Sequence, residues 1–232
     1  MIRNYDDFVN TVLEAGFSLG GGNGEGIYAA IPWGWNDEPP YDTPVRWHTD
    51  DPETDPWEWR IRVLDERSDI AYAKVFFKKS GYIAKDWYPY FLAARRLGRT
   101  FEDAYADGNI SHFAKRIYDV VLENEVLPVH DIKLLAGFSK DDKSGFDRAL
   151  TELQMKMFLT MCGRAQKFSM HGKNIAWSST VFCTTEHFFG NDIFEKANKI
   201  NADEAYALIR EQVLKLNSLA EETKVKKFIL GV

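Results

Sequence analysis

Cysteine is scarce in this sequence. The 232 residues hold two, Cys162 and Cys183, too few for a disulfide scaffold and without the close spacing of a zinc-binding pair. Long apolar runs are missing as well. None approaches the ~20 residues of a membrane-spanning helix, and the opening M-I-R-N-Y-D-D-F has no apolar core of a secretory signal. These absences predict a cytoplasmic protein with no membrane partner and two reduced thiols, although a disulfide across a hairpin is geometrically open to them. Positive charge is also in short supply: 29 Lys and Arg stand against 35 Asp and Glu, for a net charge of −6. That argues against a protein that coats DNA over its whole surface, while leaving room for a local basic face. No Ser or Cys sits in a nucleophile motif, and His48, His112, His130, His171 and His187 are scattered. No cofactor is expected.

The most legible stretch runs from Val129 to Cys183. V-H-D-I-K-L-L-A-G-F reads as a short amphipathic helix stopped at Gly137. A polar run follows, in which Asp142 or Ser144 is placed to cap the next helix. That helix, over Ser144–Gln154, puts Phe146, Ala149, Leu150 and Leu153 on one face. The period then changes: M-K-M-F-L-T-M-C and I-A-W-S-S-T-V-F-C are strand-like, with a polar tip between them. Preceded by a helix over 110–125, this order predicts a winged helix-turn-helix. Its cations Lys140, Lys143, Arg148, Lys156, Arg164, Lys167 and Lys173 are the candidate nucleic-acid contacts, because phosphates need such charges. A mixed, solvated surface is the plainer reading of each one.

The N-terminal half is harder to read. Asn4 to Ala15 predicts an amphipathic helix with Phe8, Val9, Val12 and Leu13 inward. The glycine-rich G-G-G-N-G-E-G fits neither phosphate-loop spacing nor the dinucleotide fingerprint, so it reads as a flexible loop. Next come Pro32, Pro39, Pro40, Pro44, Pro52 and Pro56, which forbid long helices and disfavour a central strand. Among them stand Trp33, Trp35, Trp47, Trp57 and Trp59 with many carboxylates. A long loop of this kind is packed by its own side chains or is functional. One reading makes it a cover over the core. Another makes Trp33, Trp35, Trp47, His48, Asp50, Asp51, Trp57 and Trp59 a pocket for a flat or cationic base. A metal site of His48, Asp50 and Asp51 has no ligand spacing to support it.

Trp57 to Leu64 alternates and predicts a strand. Two more strands are expected at Ile70–Lys79 and Ser80–Ala84, with Lys78 and Lys79 guarding an edge. Asp86 should cap a helix carrying Pro89 in its first turn, and T-F-E-D-A-Y-A-D-G reads as a short capped helix. After the wing come two amphipathic helices, and K-V-K-K-F-I-L-G-V suits either a last helical turn or a strand. The expected fold class is therefore α+β, with a small antiparallel sheet and helices in the N-terminal half. A winged helix-turn-helix and a helical C-terminus complete it. The units are 1–108, 109–190 and 191–232, or one domain containing all three.

The run P-W-G-W-N-D-E-P-P-Y-D-T-P-V-R-W-H-T-D-D-P-E-T-D-P-W-E-W-R, with F-F-K-K-S-G-Y-I, W-Y-P-Y-F-L-A-A-R-R and E-L-Q-M-K-M, resembles bacterial proteins labelled AlkZ-related. The resemblance covers most of the chain. It implies a distant similarity to AlkZ-type DNA glycosylases, which stack winged-helix units around a concave surface and excise alkylated or crosslinked bases. Their signature is Gln, an apolar residue, then Gln or Asp. The nearest text here is Gln154-Met155-Lys156, so the resemblance makes Gln154 and Lys156 the catalytic candidates, with Lys in place of the water-activating residue. Three functions stay open: DNA association, base excision, and a winged-helix scaffold for a small molecule or a protein.

Overall fold

The computed structural model describes residues 1–168 and 174–232. Asn4 caps the first helix, α1 (Tyr5–Ala15), by accepting the Asp7 N–H, and Gly16 ends it in the left-handed conformation at φ +87°. Strand β1 (Phe17–Leu19) follows, and then residues 20–55 run without regular structure. Helix α2 (Pro56–Glu66) comes next, where alternation predicts a strand. Two local signals decide against the alternation: Asp55 caps the first turn and Pro56 occupies it. Trp59 and Val63 are four residues apart and both completely buried, so one alternating text also satisfies a helical face.

Strands β2 (Ile70–Phe76) and β3 (Lys79–Ala84) form a hairpin through Phe77 and Lys78, both at positive φ (52° and 61°). That is the mirror-image turn which matches strand twist. β1 pairs with the far side of β3, Phe17 opposite Ile83. Lys78 therefore sits in a turn and Lys79 in a strand with neighbours on both sides, and neither guards an edge. Helix α3 (Tyr88–Arg96) starts beyond Asp86, with Trp87 at its cap position and no side-chain cap; Pro89 lies in the first turn as expected. Helix α4 (Phe101–Ala106) has a full capping box between Thr100 and Asp103.

Helix α5 (His112–Asn124), strand β4 (Val126–Pro128), helices α6 (Val129–Leu135) and α7 (Lys143–Met155), and strands β5 (Leu159–Phe168) and β6 (Asn174–Thr184) follow in that order. Ile117 and Val121 of α5 are completely buried, while Leu122 is exposed. Asp142 stands at the cap position of α7, but its carboxylate turns back to accept from Ser139, through the N–H at 2.8 Å and the hydroxyl at 2.7 Å. The chain closes with α8 (Thr185–Phe189), α9 (Asp192–Asn198), α10 (Ala202–Leu216) and α11 (Glu222–Leu230). The last of these settles the final segment as helix.

The strands make one sheet in the order β1-β3-β2-β5-β6-β4, and every recorded pairing is antiparallel. The fold is thus mixed α+β, and its sheet runs through both sides of residue 108 rather than lying in the N-terminal half. Side chains alternate across it, separating two apolar clusters. Val12, Trp59, Tyr82, Ile117, Phe146 and Phe182 meet on one face, beneath α1, α2, α5 and α7. Phe17, Ile83, Phe91, Ile209 and Phe228 meet on the other, beneath α3, α10 and α11. No described helix is long and apolar enough to cross a membrane.

The two hairpins meet at β2 and β5, where the recorded ladder has a single register pair, Tyr72 opposite Met161. Side chains complete this seam. Gln154, 1% exposed, accepts the Lys74 N–H at 2.9 Å through Oε1 and donates to Leu150 O at 2.9 Å through Nε2. Arg95 donates to Val75 O (2.9 Å), Met155 O (2.9 Å), Ile229 O (2.8 Å) and Phe228 O (2.7 Å). Three of those carbonyls belong to the last turns of α7 and α11, where the helix dipole is negative. Burial lowers the Arg95 guanidinium to about 9, so it remains charged at neutral pH among these oxygens.

Arg95→Met keeps the bulk of the side chain and removes all four bonds. It is expected to cost about 3 kcal/mol of unfolding free energy, read from the midpoint of urea denaturation at constant slope. A loss below about 1 kcal/mol would show that the seam holds without the guanidinium.

Candidate nucleic-acid interface and aromatic cleft

Helix α7 presents Lys143 and Arg148 to solvent, with Lys140 exposed in the turn before it. Near its C-terminal end Arg148 and Lys156 line a cleft of about 390 Å³, floored in part by Met155. Lys78 enters the same cleft from the β2–β3 turn, where its N–H donates to Met155 Sδ at 3.3 Å. Three cations from two elements thus converge around one concavity. Sequence reasoning missed Lys78, because the turn's proximity to α7 is a tertiary fact. The surroundings are not uniformly basic. Asp141 and Asp147 are exposed along the same face, Lys133 lies 3.9 Å from Asp147, and Glu152 accepts the Ser111 N–H and hydroxyl.

The other candidates fall elsewhere. Arg164 pairs with Asp65 at 2.7 Å, tying β5 to α2. Lys167 stands on β5 opposite Ile175, but its side chain lies outside the described residues, as do Lys173 and His171 altogether. Gln154 is the seam residue, with both ends of its amide occupied. Lys156, two residues on, faces the cation cleft instead, so the structure directs the two catalytic candidates to different surroundings. Cys162 and Cys183 are free thiols on the paired strands β5 and β6.

The Trp-rich stretch is organised by one carboxylate. Asp55 is completely buried. Its oxygens accept the N–H groups of His48 (3.0 Å), Thr49 (2.8 Å), Asp50 (3.1 Å) and Trp57 (2.8 Å). The same residue caps α2 and folds the preceding loop around itself, holding His48 and Asp50 at φ +60°, a conformation that costs energy for non-glycine residues. Arg62 adds an outer clamp through Glu53 (2.8 Å) and Glu66 (3.0 Å).

This frame sorts the tryptophans. Trp33 (3% exposed) and Trp59 (0%) are core residues: Trp59 stacks on Phe8 and donates its Nε1–H to Pro52 O. Trp35, Trp47 and Trp57 line a cleft of about 400 Å³ against the glycine-rich loop. Trp47 is fixed by its Nε1–H bond to Trp33 O at 3.1 Å. A Cβ on Gly21 would lie 2.4 Å from that indole, so only glycine lets the loop press against the ring. His48 packs on Trp57, ring centres 4.9 Å apart, without lining the cleft. Asp50 and Asp51 are exposed, and Asp51 spends its carboxylate on the Glu53 N–H and the Thr54 hydroxyl. Among the described residues no three His, Cys, Asp or Glu side chains form a metal-binding group.

In place of the expected carboxylates the cleft has Arg60, Lys79 and Glu25. The Arg60 guanidinium stacks 3.5 Å above the Trp57 ring and donates to Trp57 O. Trp57 and Arg60 are three residues apart, which on a helix brings them together; the strand reading hid this pair. Glu25 accepts from Lys79 and Lys224, each at 2.7 Å, joining the glycine-rich loop to β3 and α11. Those two bonds, Lys224's first, hold the Glu25 carboxyl below its ordinary range.

Sheet, cation cluster and cleft together define an α+β protein with one antiparallel sheet and two chemically distinct concavities. Over residues 2–230 the chain matches the family model described as AlkZ related. It belongs to the AlkZ-related family. Neither a comparison with curated proteins nor one with solved structures finds a match.

Asp55→Ala leaves four N–H groups without their acceptor and is expected to destabilise the fold by about 2–4 kcal/mol. Intrinsic tryptophan fluorescence in the absence of denaturant should change with it, since the loop carries Trp35 and Trp47. Glu25 supplies a pH test. Its folded pKa is depressed, so its contribution is present at neutral pH and lost as pH falls through the folded value. Wild type should exceed Glu25→Gln by about 1 kcal/mol at neutral pH, and the difference should close as pH is lowered through the depressed folded value.

Proposed function

We propose that this AlkZ-related protein associates with DNA through a winged-helix module spanning α5 to β6. The observation that carries the proposal is the order α5-β4-α6-α7-β5-β6, with β4 paired to β6 and the β5–β6 hairpin following the cation-bearing helix. In such modules the second helix of the helix-turn-helix pair enters the major groove and the hairpin lies along the backbone. Here that helix is α7. Lys140, Lys143 and Arg148 on its side, with Lys156 and Lys78 at the adjoining cleft, supply phosphate contacts. Lys167, on β5, belongs to the wing in this reading, and Arg164 joins it by exchanging Asp65 for a phosphate; Lys173 lies outside the described residues.

Base excision by Gln154-Met155-Lys156 is the weaker reading. The Gln154 amide is bonded to backbone at both ends, is 1% exposed and supports the sheet, which holds it inside the fold rather than at a substrate-facing surface. A scaffold for a small molecule or a protein draws its support from the aromatic cleft and from the net charge of −6.

Duplex binding is measured by anisotropy of a labelled oligonucleotide. Affinity should fall steeply between ~50 and ~200 mM salt, and Arg148→Gln/Lys156→Gln should weaken binding about tenfold while lowering the salt slope by about 2. Alkylated duplex is assayed in parallel for abasic sites, with none expected. Abasic sites lost on changing Gln154 would establish the enzyme reading instead, and binding that ignores both salt and the double variant would remove the winged-helix one.

A further inference from the structure

The cleft formed by Trp35, Trp47, Trp57, Arg60, Tyr72 and Lys79 is a built concavity that DNA docking through α7 does not use. It shares no lining residue with the Lys78–Arg148–Lys156 cleft. Its volume of about 400 Å³ falls within the range of small-molecule sites. Trp35 is 66% exposed and Trp57 36% exposed, an outlay of aromatic surface in water that folding alone does not call for. The walls do not depend on a ligand for their shape. Trp47 is pinned between its bond to Trp33 O and the Gly21 backbone, and Trp57 between the Asp55 cap and the Arg60 guanidinium.

Charge decides what such walls accept. Aromatic cages often take quaternary ammonium groups, but this one carries Arg60 and Lys79 on its lining, with Lys224 behind them. Glu25 is the one carboxylate on the lining and already serves both lysines. Arg60 forms no ion pair among the described residues; its Nε–H donates to a backbone carbonyl. A cationic ligand would meet like charge, whereas an anion would find an uncompensated guanidinium stacked on an indole. We infer that the cleft binds a planar heteroaromatic ring bearing an anionic tail, of the nucleoside-monophosphate class, with the ring stacked on Trp35 and the tail at Arg60 and Lys79. The geometry suits a free nucleotide and the end of a single strand alike, since both present a base face and a phosphate.

The test uses the full chain, with adenosine 5′-monophosphate and adenosine as probes, by calorimetry and by quenching of tryptophan fluorescence. The monophosphate should bind about tenfold more tightly than the nucleoside. Trp35→Ala, at a largely exposed position, should weaken both probes about tenfold. Arg60→Gln should remove the advantage of the monophosphate, read as the ratio of the two probes' affinities within that variant. A short single-stranded oligonucleotide forms the second arm: weakened binding in both variants identifies a strand end as the source, and unaltered binding identifies the free nucleotide. The inference is overturned if the monophosphate gives no heat and no quenching at about millimolar concentration. It is equally overturned if neither substitution changes its affinity. The duplex assay on Arg148→Gln/Lys156→Gln reads a different cleft, so failure of one proposal leaves the other standing.

Discussion

The seam between β2 and β5 carries the greatest structural demand for the least backbone pairing. One register pair joins the N-terminal hairpin to the C-terminal one, and the remaining polar groups there are met by side chains. Gln154 takes the Lys74 N–H, and Arg95 collects carbonyls from β2, α7 and α11. A buried N–H or C=O without a partner costs about 1–3 kcal/mol, so these two side chains turn a gap in the ladder into a continuous sheet. Both concavities hang from that sheet. Lys78 reaches Arg148 and Lys156 because the seam fixes the β2–β3 turn beside α7, and β2 and β3 supply Tyr72 and Lys79 to the aromatic cleft.

A second constraint acts locally, around Asp55. Thirty-odd residues without regular structure must bury tryptophan while leaving indole faces open, which an unsupported loop would not do. Asp55 gathers three amides of its own loop and one of the helix it caps. Trp33 and Trp59 are thereby committed to the core and Trp35 and Trp57 to the surface. The prolines restrict the chain before it folds, and the carboxylate selects among the turns they permit.

Several elements could be read from residue order alone. Thr100 announces its helix by capping chemistry, α1 shows in the spacing of its apolar residues, and α7 in that of Phe146, Ala149, Leu150 and Leu153. Strands β2 and β3 were legible from their β-branched and aromatic residues, but the turn between them was not: Phe77 and Lys78 form it, inside the stretch expected as the first strand. Trp57 to Leu64 was not, because its alternation fits two periods and the choice rests on Asp55 and Pro56. Of the candidate cleft, the three lining tryptophans, Trp35, Trp47 and Trp57, come from the stretch that the sequence singles out. Its carboxylates mislead, because those that look available are exposed or serve turns, while the cations of the cleft come from α2 and β3.

The resemblance to the AlkZ-related family likewise marks the whole chain without assigning roles to Gln154 or Lys156. Local interactions, set within a few residues, fixed the helices, the hairpins and the absence of long apolar spans. Long-range packing alone decided that Gln154 serves a strand eighty residues away, and that Arg60 stacks on Trp57 beside a glycine loop. Contacts of that separation leave no period in a sequence, since each depends on how the sheet brings distant segments together.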